Sequence, residues 1–142
     1  MREILFRGAQ KVDGSTSFYW YEGSLVIETD SYTGEEEYYI QNESGSYLVI
    51  PETVGQYTGL TDKNGKNIFE GDIVHLYGDE ESRYYKGIDY NALVIFKDGG
   101  FCAIDGTPED YCIRRYNFVS ATLNCEVISN VYDNPKLLEV IE

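Results

Sequence analysis

Thr61-Asp62-Lys63-Asn64-Gly65-Lys66-Asn67-Ile68-Phe69-Glu70-Gly71-Asp72-Ile73-Val74 reads as a turn, a short strand, a corner and the start of another strand. Asn64-Gly65 is the strongest short hairpin signal, because a type I′ turn needs positive φ at both central residues. Gly71 suits the corner, and the Asp72 side chain suits backbone amides left free there. Ile73-Val74-His75-Leu76-Tyr77 continues as a strand, with His75 alternating with Ile73 and Tyr77. Short Tyr-, Val- and Ile-rich runs broken by Gly, Asn or Asp predict a mainly β protein.

The same pattern recurs on both sides. Upstream, Glu3 to Phe6 reads as a strand, Ser17 to Glu22 and Ser24 to Glu28 as a pair turning at Gly23, and Tyr38 to Gln41 with Tyr47 to Ile50 as a hairpin. Asp30-Ser31-Tyr32-Thr33-Gly34 and Asn42-Glu43-Ser44-Gly45 supply side chains that bond their own backbone. Pro51 cannot donate to a sheet ladder and ends a strand, so Pro51 to Leu60 reads as a connector with Gly55 and Gly59 as turn formers. Downstream, Ala92 to Phe96 and Phe101 to Ile104 flank Lys97-Asp98-Gly99-Gly100 as a hairpin, and Glu126 to Val131 is the last strand. Glu109 to Val119 fits a helical turn or an irregular strand equally. Asn134 as N-cap and Pro135 at the first helical position predict a short C-terminal helix.

The 142 residues include 25 Asp or Glu and 11 Lys or Arg, a net charge of −14 divided evenly between the two halves. With 42% hydrophobic residues, the chain has apolar surface for one packed domain or two small lobes. Nucleic-acid binding draws on Lys and Arg that displace counterions, so direct binding to DNA or RNA ranks last. Lys63, Lys66 and Lys136 are too scattered to promise a basic patch. Apolar runs such as Ala92 to Phe96 fall far short of the roughly 18 to 20 residues that cross a bilayer. Arg7 stands where a signal peptide needs its apolar core, which makes a cytoplasmic location the expectation. Cys102, Cys112 and Cys125 fit no CxxC pattern and are expected to be reduced structural thiols.

Catalytic patterns are sparse. His75 is the only histidine, which removes most zinc sites and leaves nucleophilic chemistry a single candidate base. Glu35-Glu36-Glu37 and Asp79-Glu80-Glu81 are contiguous runs without the alternating ligands of a calcium loop. No P-loop, GxSxG elbow or HExxH helix is present. The expectation is no enzyme, no cofactor and no metal site. The 14 tyrosines, with Phe18-Tyr19-Trp20-Tyr21, Tyr38-Tyr39 and Tyr84-Tyr85 adjacent, must send rings to both faces of their strands. Tyrosines on an outer face are suited to contact with a partner.

Arg2-Glu3-Ile4-Leu5-Phe6-Arg7-Gly8, the span Pro51 to Lys66 and Ile68-Phe69-Glu70-Gly71-Asp72-Ile73-Val74 resemble the signature blocks of YopX-like phage proteins. Val127-Ile128-Ser129-Asn130-Val131-Tyr132-Asp133-Asn134-Pro135 is similar to the family's closing strand and helix cap. The resemblance implies a phage- or prophage-encoded protein of no established activity. It implies an N-terminal antiparallel β lobe, residues 1–59 with the connector, packed on a C-terminal SH3-type barrel, residues 60–142 with the terminal helix. The Gly71-Asp72 corner, the strand to Tyr77 and the hairpin ending at Ile104 are what a small barrel requires.

The leading functional expectation is a non-enzymatic accessory protein that binds another host or phage macromolecule. Its candidate surface is Gln56, Tyr57, Asp62, Lys63, Glu70 and Asp72, whose polar and aromatic side chains have few obvious core duties. Gly55, Gly59, Asn64, Gly65, Gly71, Asn134 and Pro135 are assigned to turns and caps. One alternative is an acidic nucleic-acid mimic that occupies a host nucleic-acid-binding protein. Another is a metal-dependent hydrolase or nuclease with Glu70 and Asp72 on magnesium. Edge strands also offer a route to pairing with a second copy.

Overall fold

A computed structural model describes residues 3–83, 86–97, 99–104, 112–114 and 123–137. The chain divides into two compact units, the first ending at Tyr57 and the second beginning at Thr58. Antiparallel strands dominate both.

The first unit is a meander of β1 (Phe6–Lys11), β2 (Phe18–Thr29), β3 (Glu36–Asn42) and β4 (Gly45–Val49), with the start of β5 (Gly55–Thr61) joined to the far side of β1. Gly23 is not a turn. It lies inside the 12-residue β2, where an added Cβ would stand 2.1 Å from the Gln41 carbonyl oxygen, so the glycine permits close approach rather than reversal. β1 likewise runs later than the expected Glu3 to Phe6, and Val49 packs over its Gly8. The expected β3–β4 hairpin forms with Asn42 opposite Gly45.

The meander curls until β4 reaches β1. The Ile50 amide donates to the Ala9 carbonyl at 2.8 Å, and the Ala9 amide donates to Thr53 Oγ1 at 2.9 Å. Pro51–Thr53 forms one 3-10 turn. The expected connector then becomes strand: Gly55 and Gln56 of β5 pair with Arg7 and Phe6. Gly55 is therefore a strand residue rather than a turn.

In the second unit the end of β5 pairs with β6 (Asn67–Phe69). Then come β7 (Asp72–Gly78), β8 (Asp89–Lys97), β9 (Gly100–Ile104), β10 (Cys112–Arg114) and β11 (Leu123–Asn130), in spatial order β10-β9-β8-β7-β11. The described strands do not close into the expected SH3-type barrel, because β10 and β11 occupy opposite edges of an open sheet. Val74, Leu76, Ala92, Val94, Ala103 and Cys125 bury one face of that sheet together with Ile68 of β6. The β8–β9 hairpin forms where its sequence places it, with Lys97 opposite Gly100. Of residues 109–119, Cys112–Arg114 form strand and the others lie outside the described residues. Where a terminal helix was expected, Pro135–Leu137 form a single 3-10 turn, and residues 138–142 lie outside the described residues.

Candidate functional site

The residues of the predicted surface belong to different units. Gln56 and Tyr57 are half-buried in the first unit, while Asp62, Lys63, Glu70 and Asp72 belong to the second. Two of the acids point inward. Asp62 is only 4% exposed; its Oδ1 accepts the amides of Asn64 and Lys66, each at 2.9 Å, and its Oδ2 accepts the amide of Val127 at 2.9 Å.

The hairpin closes accordingly. The Asp62 amide donates to the Lys66 carbonyl and the Gly65 amide to the Asp62 carbonyl, so Lys63, Asn64 and Gly65 form a three-residue loop instead of the expected two-residue turn. An aspartate at the first position of such a turn and a glycine at φ 82° near its end are the chemistry that loop needs. Burial is the strongest influence on the Asp62 carboxyl and pushes its pKa up. The three amides, with the Lys66 charge, outweigh burial and hold it below 3.8.

Asp72 is 1% exposed and accepts the Phe69 amide at 2.7 Å, while Gly71 turns the corner at φ 93°. Its carboxylate is thus engaged inside the corner, the place where the alternative hydrolase reading put a magnesium ion on Glu70 and Asp72. Among the described residues, no group of three His, Cys, Asp or Glu side chains is placed to hold a metal ion.

Lys63 points outward from the same loop. Its ammonium donates to the Tyr77 hydroxyl, lies 5.0 Å from the centre of the Tyr77 ring and sits 3.6 Å from Glu126. The Tyr77 hydrogen bond, chiefly, raises the Lys63 pKa. β7 is a central strand, so alternation sends Val74 and Leu76 to the core and His75 and Tyr77 to the opposite face. There His75 stands opposite Glu126 of β11 and Asn91 of β8, and Tyr77 opposite Asn124 and Asp89. His75 Nε2 meets the Asp89 carboxylate at 2.6 Å, with the His75 and Tyr77 rings 5.1 Å apart. Asn124 donates to Asp79 at 2.7 Å. A concavity of about 580 Å³ opens beside them, lined in part by His75, Tyr77, Lys86, Ile88 and Asp89.

The result is a face of alternating cationic, aromatic and acidic groups that hold one another in position. Sequence reading named Lys63 but missed its neighbours Tyr77 and Glu126, and it missed Asp89 as the partner of His75. The parity of His75 and Tyr77 was visible, whereas the register across 79–88 was not.

The profile described as YopX protein matches residues 10–139. The chain belongs to the YopX family. Two solved YopX-like structures resemble it over nearly their whole lengths. The crystal structure of protein yopX from Bacillus subtilis is 21% identical with a TM-score of 0.53, covering 96% of this chain and 98% of that one. Protein EF1440 from Enterococcus faecalis is also 21% identical, with a TM-score of 0.52 and coverage of 97% and 99%. At this identity the likeness concerns the fold. No curated protein matches the chain.

Proposed function

We propose that this YopX family member is a non-enzymatic binding module, a phage or prophage accessory protein acting in the host cytoplasm, whose docking face is the outer surface of the C-terminal sheet. The observation that carries the reading is the mutual bonding of exposed groups there: Lys63 with Tyr77 and Glu126, and His75 with Asp89. Side chains already ordered lose little further freedom when a partner arrives. Tyrosine at the centre of such a face supplies apolar area and a polar tip together. An SH3-type platform is the finer version of this architecture.

A second reading is favoured by charge. The net −14 and the exposed runs Glu35-Glu36-Glu37 and Asp79-Glu80-Glu81 suit a mimic of nucleic acid that occupies a basic host protein.

Affinity capture from host lysate, at low and high salt, tests both. The docking-face reading expects the wild-type chain to retain a partner that Tyr77→Ala and Lys63→Ala lose. Unchanged recovery by both variants would remove this face from consideration. A basic partner shed at high salt favours the mimic.

A further inference from the structure

We infer that the concavity of the first unit binds an extended peptide segment bearing arginine or lysine side chains. This rests on the binding-module reading, but not on the C-terminal face. The curl that brings Val49 over Gly8 leaves an open concavity of about 630 Å³ beside β4. Tyr19, Tyr38 and Leu48 line it, with Tyr19 57% and Leu48 47% exposed. Large apolar groups are displayed here instead of packed.

The charges around these groups are one-sided. Asp13, Glu36 and Glu37 line the same concavity and Lys11 is its one basic residue. Glu28 stands directly opposite Glu37 in the β2–β3 register, an arrangement that destabilises a sheet. Neither glutamate has a lysine or arginine ion-pair partner among the described residues. Burial foremost, then the Glu37 and Glu28 carboxylates, push the nearby Tyr39 phenol up. These carboxylates give this side of the unit a negative field.

Aromatic faces beside carboxylates are the chemistry that recognises guanidinium and ammonium groups. β4, which contributes Leu48 and Val49, is also an edge strand of its sheet, tied to β1 only at its end through the Ile50 amide. A strand edge offers unpaired backbone groups to an extended chain, and alternate side chains of that chain then reach one face. Charge, aromatic surface and edge together specify a basic, extended peptide.

The test uses the full chain and two fluorescein-labelled peptides, one alternating arginine and leucine, the other glutamate and leucine. Fluorescence anisotropy should show binding of the arginine peptide alone, weakening as salt rises. Glu36→Lys combined with Glu37→Lys should weaken it about tenfold or more by charge reversal, and Tyr19→Ser by about threefold to tenfold. These side chains are exposed, and circular dichroism of each variant confirms that it is folded. Lys63→Ala and His75→Ala should leave the affinity unchanged. Equal binding of both peptides, or none up to about 1 mM, would overturn the inference. So would a loss confined to Lys63→Ala and His75→Ala, which would leave the binding module standing and move the peptide to the C-terminal face.

Discussion

The Asp62 carboxylate accepts the amide of Val127 at 2.9 Å across 65 residues of chain. It does so at the irregularity in β11, where the pairing with β7 shifts between Val127 and Ser129. An amide that the strand ladder leaves over is thereby satisfied by a side chain from a distant hairpin. Asp62→Ala should cost about 2 to 4 kcal/mol in urea unfolding, because it strands buried amides that now bond to a charged group. A loss below about 0.5 kcal/mol would show that the clasp contributes nothing.

The same carboxylate sets a pH dependence. Its folded pKa lies below the ordinary 3.8, so its contribution is complete above that value and is lost as pH falls through the folded pKa. The stability gap between wild type and Asp62→Asn should therefore be flat above about pH 4 and narrow in stronger acid. A gap that instead shrinks between pH 5 and 7 would contradict the assignment.

Lys63 adjoins Asp62 yet should behave oppositely. Its partners Tyr77 and Glu126 lie at the surface, and exposed pairs contribute about 0 to 1 kcal/mol. Lys63→Ala is expected to shift the urea midpoint only slightly while altering capture of a partner.

Gly8 and Val49 should be coupled. An added Cβ at Gly8 would come 2.8 Å from Val49 Cγ2, so Gly8→Ala should cost about 1 to 3 kcal/mol by overpacking. Val49→Ala in the same chain should recover part of that loss, and strict additivity in the double-mutant cycle would count against contact.

Cys125 should be inert. Burial first, then the Asp62 and Asp72 charges, push its thiol up to about 12, which keeps the reactive thiolate scarce. Iodoacetamide at pH 8 should label the Cys125 peptide only after denaturation. Rapid labelling of the native protein would mean that the strand opens readily.

What the sequence disclosed was local. The β8–β9 hairpin and the β3–β4 turn follow from residues adjacent to the reversal, and they stand where those residues indicate. Gly23 misled because glycine signals both turns and close approach, and only the position of Gln41 distinguishes the two. Asp72 was legible as a capping acid and Asp62 only as part of a hairpin, and both read equally as surface acids. Their burial is decided by the strands that pack around them, including β11 far along the chain. The pairing of His75 with Asp89 escaped for the same reason, since it depends on where β8 enters the sheet.

The order in which the two units can fold follows from their strand connections. In the first meander β2, β3 and β4 each pair with the strand before them, local contacts that form quickly, and β5 then joins β1 as soon as Gln56 has been made. β7 instead waits for β11, with Tyr77 and its partner Asn124 separated by 47 residues. During synthesis the first unit can form while one side of β7 is still an unpaired edge, flanked by the Asp62 hairpin that has no Val127 to hold. The interval between synthesis of β7 and of β11 is when this chain is most open to pairing with the wrong strand.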